Sequence, residues 1–344
     1  MRTHTLGATG ISVTTLGFGA APIGNLYSEV DDRQSNATLE TAWEAGLRYY
    51  DTAPHYGLGL SERRLGAFLA QHPRDHFTVS TKVGRLLEPH PSPTGSDLAA
   101  GGFAVPDTLL RRPDYSRSGI LRSLEASLQR LQLDRLDIVY VHDPDDHLET
   151  AIGESLPALT DLRDQGFIGA VGVGMNTVAP LQRIVNEADV DIVMIAGRWT
   201  LIDRTARPLL DICARRGVSV VAAAPFNSGL LSHPTPPDDA VFDYGPAPAP
   251  LLGRARSLAK VCAWHGTTLP HAAIRFPLRD DGVSSLVTGF RTPAEVTSAV
   301  QWATTDLHEA VWTDLDAITA EHSADKSDPR LRSAPDADAS PGQT

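Results

Sequence analysis

The chain has 344 residues, a hydrophobic fraction of 42% and a formal net charge of −12. That length and apolar content suffice for one large core or two medium ones. The acidic balance argues against nucleic acid or an anionic membrane as partner, because both are bound through clustered cations. Cys213 and Cys262 are too few and too scattered for a disulfide framework or a zinc site, and they fit a reducing cytoplasm. No apolar signal core follows Met1-Arg2-Thr3-His4, and no run of about 18 apolar residues occurs. A soluble, cytoplasmic, globular protein is the expectation.

Taken in order, residues 2–13 carry a Gly-containing turn between two short extended runs and read as a hairpin. Apolar runs then recur near 14–18, 47–51, 77–83, 136–142, 169–174, 191–197, 218–225 and 284–289. Most lack clean alternation, as strands covered on both faces should. Helical patterns lie between them: 32–45, 61–71 with Ser61 as its expected N-cap, 118–131, 152–164, 177–187, 203–216, 253–264 and 293–302. Strands alternating with helices imply a parallel sheet, and at this length a closed (β/α)8 TIM barrel is the economical form. An open doubly wound sheet is the alternative, but the first strand lacks the G-x-G-x-x-G turn.

Three segments stand outside the repeat. Residues 84–115 and the Pro-rich 231–250 are long insertions after the third and seventh strands, on the edge where a barrel keeps its active site. Residues 310–322 read as a final helix closing a single domain over 1–322, and 323–344 as a disordered Asp/Ser/Pro tail.

The most informative stretch runs from Gly46 to Gly57 and on to Ser61-Glu62. A buried strand ends in Asp51, and the following loop carries His55 and Tyr56. The third strand ends near Lys82 and the fourth at His142. In a closed barrel Asp51, Lys82 and His142 point into the C-terminal mouth, with Tyr56 just above. A buried Lys82 needs a counter-ion, which Asp51 supplies. Lys82 beside Tyr56 would favour the phenolate and bring that phenol nearer to useful acidity. His142 can donate a hydrogen bond to a substrate oxygen. Each residue alone has a plainer reading: Asp51 as a loop cap, Lys82 snorkelling to solvent, His142 opening a solvated acidic loop. The run from His142 to His147 also invites a metal reading, but supplies no second strand-end histidine.

With these four residues in register, the chain resembles the aldo-keto reductases over about residues 2–305, and the four match that family's Asp-Tyr-Lys-His tetrad. The segments 16–24 and 226–229 are similar to the branch of D-threo-aldose 1-dehydrogenases, L-fucose or L-galactose dehydrogenases and pyridoxal 4-dehydrogenases. The resemblance implies hydride exchange between a nicotinamide and a carbonyl, alcohol or lactol carbon, with Tyr56 as general acid and base and His142 orienting the substrate oxygen. It places NAD(P)(H) against Gly19, Ala20 and Asp51, then Asn176, then Trp199. It continues along Phe226, Asn227, Ser228, Gly229 and Leu230 to Gly289, Arg291 and Glu295.

The chain departs from the family pattern at Met175, Ala196, Ala223 and Ser298-Ala299. Trp199 or Phe226 stands in for the missing ring-stacking tyrosine, and Arg291 meets a 2′-phosphate or the adenine. NAD versus NADP stays open. Tyr56, His55, His142 and Asp143 are the expected substrate contacts, and the polar run 143–147 suits sugar hydroxyls. Metal-dependent hydrolysis on the same barrel and a non-catalytic nicotinamide-binding barrel are the competing functions. Substrate identity and oligomeric state are not readable.

Overall fold

A computed structural model describes residues 1–324. The expected disordered tail lies, from 325 onward, outside the described residues. Strands β1 (Thr3–Thr5) and β2 (Ser12–Thr14) form the expected antiparallel hairpin. The eight barrel strands are β3 (Leu16–Gly19), β4 (Tyr49–Asp51), β5 (Thr78–Val83), then, beyond the insertion hairpin β6 (Arg85–Pro89) and β7 (Leu109–Pro113), β8 (Leu136–His142), β9 (Ile168–Met175), β10 (Ile192–Ala196) and β11 (Ser219–Ala223). After a second small hairpin, β12 (Val241–Phe242) and β13 (Gly245–Pro246), β14 (Val283–Gly289) completes the ring. All barrel neighbours pair in parallel, and β14 closes on β3 with Leu286 opposite Leu16.

The helices are α1 (Asp32–Glu44), α2 (Leu60–Leu69), the short α3 (Leu98–Gly101), α4 (Arg117–Leu131), α5 (Leu148–Thr150), α6 (Leu156–Asp164), α7 (Val178–Glu187), α8 (Arg207–Arg216), α9 (Ala249–Trp264), α10 (Leu269–Arg275), α11 (Pro293–Thr304) and α12 (Glu309–Ala324). Most boundaries fall within a few residues of the sequence pattern. The 152–164 pattern begins earlier, at Leu148, because a π-helical segment over Ala151–Ser155 joins α5 to α6. The 203–216 pattern starts only at Arg207, with Pro at the first turn. Helix α10, seven residues long with Pro270 in its first turn, has no counterpart in the sequence pattern.

Two apolar layers share the sheet. Leu6 and Val13 of the hairpin, with Tyr49, Ile138, Tyr140, Ile192, Met194, Val221 and Val287, fill the barrel interior. The larger layer lies between strands and helices and includes Phe18, Tyr50, Val79, Val139, Val171, Val193 and Leu286. Residues alternate between these layers along each strand, as the period of two demands. Tyr49, Ser80 and Ile138 thus belong to the inside; Tyr50, Thr81 and Val139 face the helices. The same alternation delivers Asp51, Lys82 and His142 inward at the C-terminal strand ends. No helix among the described residues is long and apolar enough to cross a membrane.

Candidate active site

The inward alternation brings three of the four tetrad candidates to one place. Lys82 Nζ donates to Asp51 Oδ2 at 2.6 Å, to the Thr52 carbonyl at 3.0 Å and to the Tyr56 hydroxyl at 3.1 Å. Asp51 and Lys82 are each only 2% exposed. Asp51 Oδ1 accepts from Ser80 Oγ at 2.7 Å, and that hydroxyl in turn accepts from Tyr49 Oη at 3.1 Å. The inner-layer hydroxyls of Tyr49 and Tyr140 continue the chain at 3.1 Å. Every polar atom of the buried pair therefore has a partner, the condition for an ion pair to persist in a low-dielectric interior.

His142 is buried, and its ring stands edge-on to that of Tyr56 with centroids 6.0 Å apart. Burial first, and then the cations Arg85 and Lys82, hold the His142 imidazole well below its ordinary range. His55 is pulled down to about 2, again by burial and then Arg111, Arg85 and Lys82. Both histidines are thus neutral at physiological pH. For Lys82, burial alone would lower the pKa; Asp51 and then Tyr56 outweigh it and hold the ammonium above its ordinary range.

At Tyr56 burial raises the pKa, and Lys82 acts in the expected direction, lowering it. Burial raises the phenol by more than Lys82 lowers it, which leaves it pushed up to about 12. Lys82 keeps the phenol from rising further, but does not bring it below its ordinary value. The phenol is therefore protonated at neutral pH, and Lys82 opposes the effect of burial.

The Ser61 expectation also changes. Helix α2 is capped by Gly59 in the left-handed region, and Ser61 is buried with its hydroxyl on the Ala20 carbonyl and on Thr52 Oγ1. Its neighbour Glu62, fully buried, accepts from Thr81 Oγ1 at 2.7 Å and from Arg130 Nε at 2.5 Å. These side chains tie α2 to the outer faces of β4 and β5, directly behind Asp51 and Lys82. A Cβ on Gly57, where φ is +62°, would lie 2.1 Å from the Gly24 carbonyl oxygen. Only glycine lets the Tyr56 loop sit against the 22–24 turn.

The long insertion is ordered rather than loose. Its hairpin β6–β7 and α3 present Phe103, buried with Leu58 and Val105, beside Tyr56 at 6.1 Å and His55 at 5.3 Å. Arg111 grips Asp97 through two nitrogens at 2.6 and 2.7 Å and donates to the His55 carbonyl at 2.9 Å. His55 thereby stands against His142 at 5.8 Å, where the sequence expected a substrate contact. Asp143, expected beside it, pairs with Arg85 at 2.8 Å and lies 3.5 Å from His142 Nε2. His147, the far end of the run that invited a metal, stacks on Tyr115 at 4.8 Å instead.

The expected cofactor positions spread along the remaining strand ends. Ala20, buried, donates its N–H to the Asp51 carbonyl, with Gly19 opposite Asp51 in the sheet. Asn176 follows β9, and its carbonyl accepts from Arg198 Nε at 2.8 Å. After β11 the backbone turns through left-handed Ala224, Asn227 and Ser228, and Asn227 Nδ2 donates to the Gly197 carbonyl while its Oδ1 is buried without a partner. Such a turn after the seventh barrel strand, beside the eighth, is where barrels seat phosphates. Phe226 is partly exposed there, with Gly229 in the left-handed region and Leu230 buried. Gly289 lies exposed at the end of β14.

Two of the expected cofactor positions have partners within the chain. Trp199 packs on Phe276 at 5.4 Å and under the Arg207 guanidinium at 5.2 Å, so its faces are committed to the helical layer. Phe226, partly exposed, keeps a free face. Arg291 turns its guanidinium to the Ser28 carbonyl and hydroxyl, at 3.0 and 2.7 Å, and to the Leu26 carbonyl. Its backbone N–H donates at 2.6 Å to Glu295, whose carboxylate also completes a capping box with Thr292.

A closed eight-stranded barrel with a buried Lys-Asp pair under a phenol defines the class of nicotinamide-dependent barrel oxidoreductases. The comparisons with known proteins make this specific: the family model "Aldo/keto reductase family" matches residues 15–320, and the chain belongs to that family. It is 46% identical to a D-threo-aldose 1-dehydrogenase of a Pseudomonas species over 90% of this chain and 94% of that protein. It is 36% identical to pyridoxal 4-dehydrogenase of Microbacterium luteolum (90% and 95% covered) and 31% identical to L-galactose dehydrogenase of Arabidopsis thaliana (85% and 84%). The glycerol dehydrogenase structure from Gluconobacter oxydans superposes with a TM-score of 0.77 at 23% identity, covering 96% of this chain and 99% of that one, which shows the fold. The holo form of an aldo-keto reductase from Bacillus halodurans gives 0.75 at 23%, covering 92% and 96%. The protein is an NAD(P)-dependent oxidoreductase that acts on a small molecule.

Proposed function

We propose that the protein oxidises the anomeric carbon of an aldose in its ring-closed lactol form, with NAD⁺ as the preferred acceptor. The observation that carries the mechanism is the single lysine ammonium bridging Asp51 and the Tyr56 hydroxyl. The 46% identity to an aldose 1-dehydrogenase supports the substrate class. Bound nicotinamide supplies the redox chemistry by accepting a hydride from the substrate carbon or returning it.

The chain's own residues handle the proton and the geometry. In oxidation Tyr56 takes the proton of the lactol hydroxyl as a base; in reduction it donates one as an acid. Lys82 stabilises the phenolate, and Asp51 fixes Lys82 without competing for the substrate. Neutral His142 donates a hydrogen bond to the same substrate oxygen, so Tyr56 and His142 orient the reacting carbon between them. Phe103 and His55 wall the site from water.

For the dinucleotide, the 224–230 turn offers the N–H groups of Phe226 and Ser228, since those of Ala224, Asn227, Gly229 and Leu230 already donate within the protein; Asn176 gives the amide contact, Phe226 a stacking face, and Gly19 and Gly289 backbone at the rim. Preference for NAD⁺ follows from the far end. Arg291 is engaged by the 26–28 carbonyls, and the Glu295 carboxylate occupies the N-terminus of α11. A 2′-phosphate there would meet a resident negative charge, whereas a ribose hydroxyl meets an acceptor. Cytoplasmic residence, with no nucleic-acid or membrane partner, completes the reading.

Initial rates on aldoses with NAD⁺ and NADP⁺, repeated on Glu295→Gln, test this reading. We expect NAD⁺ to be preferred and the preference to narrow in the variant. Faster turnover with NADP⁺ in the unaltered protein would overturn the cofactor assignment, and absence of aldose oxidation the substrate class.

A further inference from the structure

Two residues at the barrel mouth adopt backbone conformations that their side chains disfavour. Tyr27 has φ +64° and Tyr244 φ +65°. A residue with a Cβ loses about 1–2 kcal/mol in the left-handed region, and bulky residues are seldom found there. Tyr244 occupies the tip of the β12–β13 hairpin together with Asp243, at φ +46°. A two-residue hairpin tip with both φ values positive is the turn that ordinarily carries Asn-Gly or Asp-Gly. Here a phenol stands where glycine is the strain-free choice.

Both backbones are pinned. The Tyr27 N–H donates to the Gly102 carbonyl at 2.8 Å, and Arg291 holds the carbonyls on either side of it. The Tyr244 N–H donates to Ser228 Oγ at 3.2 Å, and Asp243 pairs with Arg198 at 2.8 Å. The side chains, by contrast, are open: Tyr27 is 48% and Tyr244 73% exposed. Neither phenol serves the core, and the strain is held by the surrounding contacts, the pattern seen at ligand clamps.

The surroundings are polar on one side and aromatic on the other. Leu26, next to Tyr27, bridges to Phe103, the wall beside Tyr56. Tyr244 lies within electrostatic reach of Asp143, Arg198 and Arg85, and its hydroxyl in turn helps raise the phenols of Tyr27 and Tyr56.

From this arrangement we infer that Tyr27 and Tyr244 are the two jaws of a clamp for a ring-closed sugar, and determine the preference for it over small open-chain aldehydes. A pyranose or furanose ring offers an apolar C–H face to a phenol and an edge of hydroxyls to the Arg85–Asp143 pair. A three-carbon aldehyde is too short to touch Tyr56 and the jaws at once. The inference rests on the lactol-oxidising reading above.

The test uses Tyr244→Gly and Tyr27→Gly, which remove each jaw while relieving the strain, so both variants are expected to melt at or above the unaltered protein's temperature. For oxidation of an aldose, KM is expected to rise about fivefold to tenfold in each, with kcat changed by less than about threefold. Reduction of methylglyoxal or glyceraldehyde is expected to keep its KM, and Tyr244→Phe to keep the aldose KM. An unchanged aldose KM in both glycine variants, or an equal loss on the small aldehyde, would overturn the clamp alone. Absence of aldose oxidation in the unaltered protein would overturn the reading beneath it.

Discussion

The floor and the rim of this site are built on opposite principles. On the floor, Asp51, Lys82 and His142 stand on strands whose alternation leaves them no choice of direction, and every charge is buried and partnered. On the rim, segments 25–30, 84–115 and 231–250 are connections held by side chains from elsewhere: Arg64 on the Ile23 and Val30 carbonyls, Arg291 on Leu26 and Ser28, Arg198 on Asp243. A rigid floor fixes what reaction is done, and a latched rim decides on what. Damage to the floor should therefore cost turnover and stability together, and damage to the rim selectivity alone.

The largest effect is expected from Lys82→Met, which leaves Asp51 buried without its cation. Turnover should fall by about 10³-fold or more, and chemical denaturation should show a loss of about 3–5 kcal/mol. Unchanged stability would mean that the pair is not a structural unit. Tyr56→Phe should separate the two consequences: a comparable fall in turnover, with NADH affinity by fluorescence titration and melting temperature nearly intact. Retained turnover would remove Tyr56 as the proton-transfer group.

A smaller, graded effect concerns pH. With its pKa raised to about 12, the Tyr56 phenol is protonated throughout the neutral range, and the base form needed for oxidation grows as pH rises. Oxidative kcat/KM should accordingly climb about tenfold per unit between pH 7 and 9, while reduction stays level. A flat oxidative profile would contradict this sign. Behind the floor, Ser61→Ala should cost about 1–2 kcal/mol of stability, by stranding the Ala20 carbonyl and Thr52. The smallest effect belongs to the rim: Asp143→Ala should weaken KM for an aldose about tenfold and leave a plain aldehyde untouched. Equal weakening of both would erase the distinction between floor and rim.

The same division explains what the sequence disclosed. Eight strands, the closing hairpin and the strand-end acid, lysine and histidine follow from periodicity, because direction on a strand is fixed by parity. Ser61 misled because a serine at the start of a helical pattern is an ordinary N-cap, whereas here its hydroxyl serves the neighbouring strand and turn. The acidity of Tyr56 depends on a balance between burial and Lys82, and the first of these has no signature in sequence. The packing of Trp199 and Arg291 was hidden for a related reason: their partners, Phe276, Leu26 and Ser28, are distant in the chain. The Pro-rich spacing of 231–250 marked an insertion, yet nothing in it announces a hairpin tip with Asp243-Tyr244 in place of Asp-Gly.

Closure of the barrel by β14 on β3 joins residues near 286 to residues near 16, and Ser285 adds a bond to the Thr14 carbonyl. Strand β3 is also the neighbour that fixes β4 and hence Asp51. During synthesis the amino-terminal third, which carries Asp51, Tyr56 and Lys82, leaves the ribosome long before its flanking strand exists. Asp51 and Lys82 are thus among the earliest parts made, in a sheet that is among the last completed. Such non-local closure slows folding and leaves β3 with an unpaired edge in the interval.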